Sequence, residues 1–121
     1  MIGRLHHTIF DAPDPRGCAD FWSTLLGEPV TYDDGEFVVV SRDTETSGLA
    51  FQLAPDHVAP TWPDPAVPQQ IHLDVMTDDP AVAGMEAIGL GARHLRDDVY
   101  ADPAGHPFCL IRRPAWAPPL A

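Results

Sequence analysis

Two stretches of this sequence, HTIFDAPDP at residues 7–15 and HLDVMTDDP at residues 72–80, both begin with histidine and end with Asp-Pro. They lie 65 positions apart. Two further pairs recur at an offset of 64: Leu26-Gly27 with Leu90-Gly91, and Asp33-Asp34 with Asp97-Asp98. Four matches in the same order at nearly one offset indicate two copies of a single supersecondary unit.

Each copy is predicted to run strand, helix and then three short strands. Asp14 and Asp79 are expected to cap the helices, because an aspartate followed by proline is typical of a helix N-terminus. Gly27 and Gly91 are expected to end them. In the second helix we expect Val82, Met85 and Ile88 to face inward. The predicted strands are Leu5–Phe10, Pro29–Tyr32, Glu36–Ser41, Leu49–Leu53, Gln70–Met76, Ala92–Leu95, Val99–Ala101 and Pro107–Arg112.

The chain of 121 residues fits one α+β domain built from two βαβββ modules. Module one covers about residues 4–54 and module two about residues 69–113. Between them lies a linker, residues 55–68, that is rich in proline and therefore expected to be stiff and extended. The tail, residues 114–121, is expected to be irregular.

Composition and charge exclude several classes of partner. The formal net charge is −11, with seven basic residues that are all arginine, so the surface should repel nucleic acid. No apolar run approaches the roughly 20 residues of a membrane helix, and the N-terminus does not resemble a signal peptide. We therefore expect a cytoplasmic protein that does not bind membranes, with Cys18 and Cys109 reduced and unpaired.

Five side chains on the strands are candidates for a binding site. Side chains alternate across a strand, so His72 and Asp74 should face away from the core, as should Gln52 and Cys109. The repeat assigns His7 to the face of His72. Histidine pairs bind divalent ions, Gln52 offers an oxygen and Cys109 a thiolate. Each of these residues also has a purely structural interpretation, and His6, His57, His94 and His106 are interpreted as surface or turn residues.

The chain resembles the glyoxalase-like domains of the vicinal oxygen chelate superfamily, which also contains bleomycin resistance proteins and dioxygenases. The resemblance covers almost the whole chain. It depends on Leu5-His6-His7-Thr8, Phe21-Trp22, Leu25-Leu26-Gly27, Ile71-His72-Leu73-Asp74-Val75, Leu90-Gly91-Ala92 and the turn Asp102-Pro103-Ala104-Gly105 with His106-Pro107-Phe108 after it. It implies two βαβββ modules that form a cupped mixed sheet with helices on the outer face.

In metal-dependent members of this superfamily, the first and last strands of each module supply four ligands to a divalent ion. Carried over by position, these would be His7, Gln52, His72 and Cys109. Cys109 replaces a carboxylate linked to proton transfer in glyoxalase I, which argues against true glyoxalase I activity. The metal ligands expected here are His7, Gln52 and His72.

The sequence leaves the function open between two main classes, with metal-free catalysis by Asp74 or Cys109 as a third possibility. The first is a metal-assisted lyase, isomerase or oxygenase acting on a small oxygenated metabolite, with Asp74 as general base or as a partner of His72. The second is a protein of the bleomycin-resistance type that sequesters a ligand without a metal. In either case we expect a homodimer, because short open sheets tend to pair their edges and because related single-domain proteins commonly dimerise.

Overall fold

The structure, a computed structural model, describes residues 1–120 and divides into a first unit, residues 1–57, and a second unit that begins at Val58. The boundary falls inside the proline-rich segment. Each unit is a βαβββ module with its own four-stranded mixed sheet and one helix, so the α+β class and the two-module architecture are confirmed. No helix within residues 1–120 is long and apolar enough to cross a membrane.

The first unit contains β1 (Thr8–Ala12), α1 (Pro15–Leu26), β2 (Val30–Asp33), β3 (Phe37–Val40) and β4 (Leu49–Leu53). Its strands lie in the order β1-β4-β3-β2. The β1–β4 pair is parallel and the other two pairs are antiparallel. The strand β1 begins three residues later than predicted, which leaves His7 directly before it.

The helix α1 forms where the sequence predicts it. The side chain of Asp14 accepts the backbone N–H of Gly17, and Gly27 ends the helix with a positive φ of 68°. The helix packs against β3 and β4 through a buried apolar stripe that includes Cys18, Phe21 and Trp22. These side chains, with Val38, Val40 and Phe51 from the sheet, form the core of the first unit.

The second unit repeats this plan with β5 (Leu73–Thr77), α2 (Pro80–Leu90), β6 (Arg93–Arg96), β7 (Val99–Ala101) and β8 (Pro107–Arg112). The strand order is β5-β8-β7-β6, and β5 runs parallel to β8. Asp79 caps α2 by accepting the N–H groups of Ala81 and Val82, and Gly91 ends it. Phe108 and Leu110 are buried in the core of the second unit.

The prediction for the buried face of α2 is wrong. Val82, Met85 and Ile88 are 52%, 76% and 50% exposed, and the buried residues of the helix are Gly84 and Ala87. A Cβ atom on Gly84 would overlap the hydroxyl of Tyr100, so the helix approaches the sheet through its smallest residues. Because α2 is apolar on several sides, its sequence pattern does not determine which side packs inward.

Candidate ligand site

A cavity of about 660 Å³ lies in the first unit, on the face of the sheet opposite α1. Its apolar lining comes from Ile9, Phe37 and Val39. Its polar lining comes from the two ends of the sheet. The residues near one end are His6, His7, Thr31, Ser41, Thr44 and Thr46, and those near the other end are Tyr32 and Asp34.

Strand register explains why these side chains share one face. Thr8 lies opposite Leu49, so His7 lies beside Gly48, and Ile9 lies opposite Ala50. On the other side of β4, Val39 of β3 also lies opposite Ala50. Residues opposite one another point to the same side of a sheet, and the next residue along points to the other. Side chains along β4 therefore point alternately to the cavity face and to the core face, and Phe51 points to the core face.

His7, directly before β1, is fixed by a hydrogen bond from a backbone N–H. Its Nδ1 accepts the N–H of Gly48 at 3.1 Å, and its ring lies 3.7 Å from the ring of His6, centroid to centroid. Burial lowers the pKa of His7, and the neighbouring His6 lowers it further. The ring is therefore neutral at pH 7. With its lone pair at Nδ1 used, His7 carries its hydrogen on Nε2 and offers a hydrogen-bond donor.

Hydroxyl groups surround the histidine end of the cavity. Thr31 Oγ1 and Ser41 Oγ are 2.6 Å apart, and the Ser41 hydroxyl also lies 2.8 Å from the carbonyl oxygen of Asp43. The Thr46 hydroxyl donates to the Asp43 carboxylate at 2.7 Å. This end is polar without carrying a fixed positive charge.

The opposite end is formed by the turn between β2 and β3. The Asp34 Oδ1 accepts the N–H groups of Glu36 and Phe37 at 3.0 and 2.7 Å, and its Oδ2 accepts the Tyr32 hydroxyl at 3.1 Å. The two backbone N–H groups lower the pKa of Asp34, so its carboxylate is ionised at neutral pH. Tyr32 and Asp34 are not among the site residues predicted from the sequence, although the repeat of Asp33-Asp34 at Asp97-Asp98 marks this turn.

In the second unit, His72, Asp74 and Cys109 share one face. The Nε2 of His72 lies 3.5 Å from the Oδ1 of Asp74, and both side chains are about half exposed. Asp74 lies opposite Cys109 in the β5–β8 ladder.

Burial raises the pKa of the Cys109 thiol, and the negative charges of Asp74 and Asp98 raise it further. Cys109 is therefore a neutral thiol at pH 7. Neither Cys18 nor Cys109 forms a disulfide.

Gln52 shares the face of His7 but lies at the other end of the strand. It is opposite Asp11, four residues beyond Gly48, and is absent from the cavity lining within residues 1–120. In the repeat, Ile9 of the first unit corresponds to Asp74 of the second. Ile9 pairs with Ala50, and Asp74 pairs with Cys109. By register, Ala50 and not Gln52 corresponds to Cys109. The convergence of His7 and His72 on one site stays a prediction, because they belong to separate units.

Of the two interpretations of His106, the turn is confirmed and the surface position is wrong, since the residue ends the turn before β8 and is only 9% exposed. Its Nδ1 lies 2.7 Å from the Oδ2 of the buried Asp102. The other carboxylate oxygen of Asp102 accepts the N–H groups of Ala104 and His106. The carboxylate thus organises the turn before β8, a role that the Asp-Pro-x-Gly pattern indicates for Asp102 but not for the histidine after it.

At two of the positions implied as metal ligands, His7 and Cys109, binding a divalent ion would have to change the hydrogen bond or the protonation that the side chain has here. A histidine ligand normally binds the metal with one nitrogen and donates the hydrogen on the other. His7 instead accepts a hydrogen bond at Nδ1 and has its hydrogen on Nε2. A cysteine ligand is a thiolate, whereas burial, together with the charges of Asp74 and Asp98, raises the pKa of the Cys109 thiol. The ligand set His7, Gln52 and His72 therefore stays a prediction from the resemblance.

Comparison with known proteins supports the architecture. The structure is similar to the oxidase ChaP-H2, with 20% sequence identity and a TM-score of 0.64 over 97% of this chain and 98% of that one. It is also similar to a glyoxalase-related enzyme from Fulvimarina pelagi, with 16% identity and a TM-score of 0.68 over 96% and 92% of the two chains. These identities show a common fold only.

A third similar structure is the trypanothione-dependent glyoxalase I of Leishmania major, with 17% identity and a TM-score of 0.60 over 91% of this chain and 86% of that chain. A search of curated protein sequences finds no significant match. The sequence model of the glyoxalase-like domain, in contrast, matches residues 7–111. That match spans both modules, from the histidine before β1 to the penultimate residue of β8, and the chain therefore belongs to the glyoxalase-like domain family.

Proposed function

We propose that this protein binds a small, largely apolar molecule bearing oxygen groups in the cavity of the first unit, without a metal ion between protein and ligand. The observation that carries the proposal is the cavity itself. It has an apolar floor of Ile9, Phe37 and Val39 and a few fixed polar groups, which is the usual composition of a small-molecule site. The neutral His7 supplies a donor for a carbonyl or hydroxyl oxygen.

Filling the cavity with Ile9→Trp is expected to abolish binding. Ile9 is half exposed and points into the cavity, so an indole ring has space there but occupies the volume that a ligand needs. With the neutral dye Nile red as probe, we expect saturable fluorescence enhancement for the unmodified protein. For the variant we expect an affinity at least about tenfold weaker.

Val58→Trp is the matched control, because it adds the same ring at a position that is 67% exposed and outside the cavity lining. This variant should bind the dye as the unmodified protein does. Equal affinities for Ile9→Trp and the unmodified protein would contradict the proposal, provided that circular dichroism shows both to be folded.

A second candidate function is a metal-assisted lyase, isomerase or oxygenase, and the contact between His72 and Asp74 is the observation that favours it. A carboxylate beside a histidine can orient the ring as a ligand or serve as a general base. Metal analysis of protein purified without an affinity tag distinguishes the two functions. One divalent ion per chain, lost in His72→Ala and retained in His94→Ala, would support the enzyme and contradict the metal-free site.

We further propose a cytoplasmic homodimer with a small-molecule ligand. The edge strands of the two sheets are β1 and β2 in the first unit and β5 and β6 in the second, and open edges are commonly paired or covered. Light scattering at micromolar concentration tests the assembly. A species with the 13.2 kDa mass of one chain would contradict it.

A further inference from the structure

The cavity of the first unit has two chemically different ends. His7 lies beside Gly48 at one end of the sheet, while Phe37, which follows the Asp34 turn, lies opposite Gln52. Gly48 and Gln52 are four residues apart on the same strand, which corresponds to about 13 Å at ~3.3 Å per residue. The cavity therefore follows the strands over roughly the length of an elongated small molecule.

The turn end carries a fixed negative charge. Within residues 1–120, Asp34 is the one carboxylate that lines the cavity, and no arginine lines it. The arginines nearest in sequence bind other carboxylates: Arg16 contacts Asp20 and Asp33 at 2.8 Å, and Arg42 lies 3.8 Å from Asp43. An anionic ligand would thus meet repulsion at this end with no basic side chain to offset it.

Aromatic rings lie next to that carboxylate. The rings of Tyr32 and Phe37 pack edge to face with centroids 6.4 Å apart, and Tyr32 is 52% exposed. The hydroxyl of Tyr32 is bound to Asp34, which holds the ring beside the charge. An aromatic face beside a carboxylate is a favourable environment for an organic cation, since ring and charge both attract it.

The histidine end offers the opposite chemistry. The Nε2–H of His7 can donate to an oxygen acceptor, and the apolar side chains of Ile9 and Val39 lie between the two ends. Gly48 fixes His7, so this donor does not need to be ordered by the ligand.

From this arrangement we infer that the cavity selects an elongated amphipathic cation, with its ammonium-type group at Asp34 and Tyr32, an apolar middle over Ile9 and Val39, and an oxygen acceptor at His7. The inference rests on the proposed function and adds the charge, polarity and orientation of the ligand.

Three probes that share one ring and one chain length test the charge selectivity: 4-phenylbutylamine, 4-phenylbutan-1-ol and 4-phenylbutanoate. Titrations of the ¹⁵N-labelled full chain should shift the amide resonances of Phe37 and Val39. We expect the amine to bind about fivefold more tightly than the alcohol, because an ion pair at a solvent-exposed carboxylate stabilises binding only modestly. The carboxylate should bind more weakly than the alcohol.

Asp34→Asn should remove the preference for the amine, so that amine and alcohol bind with similar affinity, since the charge is lost while the amide oxygen can still accept the N–H groups of Glu36 and Phe37. The control is Asp33→Asn, which removes the same charge one residue away, where the side chain binds Arg16 outside the cavity lining. This control should keep the preference.

The outcomes separate this inference from the proposed function. Equal affinity for amine and alcohol in the unmodified protein, with shifts at Phe37 and Val39, would overturn the cation selectivity and leave the binding cavity standing. A preference that survives in Asp34→Asn would also overturn it. Probes that shift no amide of the cavity would contradict both the selectivity and the proposed binding function.

Discussion

Gly48→Ala is expected both to destabilise the first unit and to disturb the ligand site. An added Cβ would overlap the carbonyl oxygen of Val40 and lie 2.8 Å from the Cβ and 3.0 Å from the Cα of Ser41. Most of these atoms belong to the backbone, so the clash cannot be relieved by rotating a side chain. We expect a loss of about 1–3 kcal/mol of unfolding free energy, the usual range for overpacking.

The same substitution should weaken binding of Nile red, because Gly48 also holds His7. Its N–H binds the Nδ1 of His7, and its carbonyl oxygen accepts the N–H of Thr8 at 3.1 Å. Separation of the strands at this point would displace the histidine from the cavity. Urea denaturation measures the loss of stability, and a dye titration well below the unfolding midpoint measures the loss of affinity.

Gly89→Ala provides the control for this experiment. It adds the same methyl group at a helical position where no atom lies within 4 Å of the new Cβ. Alanine favours a helix over glycine by up to ~1 kcal/mol, so this variant should be as stable as the unmodified protein or more so. A Gly48→Ala protein with unchanged stability and unchanged dye affinity would contradict the close approach of Gly48 to Val40 and Ser41.

Phe51→Ala is expected to have the largest effect on stability. Phe51 is fully buried in the centre of the first sheet, opposite Phe10 on one side and Val38 on the other. Its ring stacks on that of Phe10 with centroids 6.0 Å apart. Removing a buried phenyl ring typically costs about 3–5 kcal/mol, a large part of the ~5–15 kcal/mol that stabilises a domain.

Leu53→Ala, two residues along the same strand, is the matched comparison. Leu53 is 37% exposed, so its truncation should cost about 1 kcal/mol or less. Thermal and urea denaturation of both variants should therefore give clearly different midpoints. Similar losses for the two substitutions would contradict the assignment of Phe51 to the core.

The cavity residues show how much of the candidate site could be predicted. His7 was found from the repeat, because its spacing to Asp14 matches that of His72 to Asp79. Tyr32 and Asp34 were not, since an aspartate in a hairpin turn is a common turn residue with no functional signature of its own. Their place in the cavity depends on β2 lying two strands away from β4, which is a non-local arrangement.

The position in the first unit that corresponds to Cys109 also could not be predicted from the sequence. Alternation correctly placed Gln52 and Ala50 on one face, but it could not choose between them. Only the register, with Ile9 opposite Ala50 and Asp74 opposite Cys109, distinguishes the two. Register is determined by pairing with a distant strand, whereas alternation is a property of each strand alone.

The sequence by itself determined the order of elements, the helix caps at Asp14 and Asp79 and the helix ends at Gly27 and Gly91. These features depend on hydrogen bonds and backbone angles within a few residues, so a local pattern is sufficient to predict them. The tertiary structure alone decided which side of α2 is buried and that His106 is enclosed. Those outcomes depend on packing against residues far along the chain, as where Gly84 meets Tyr100, and a local pattern carries no information about such partners.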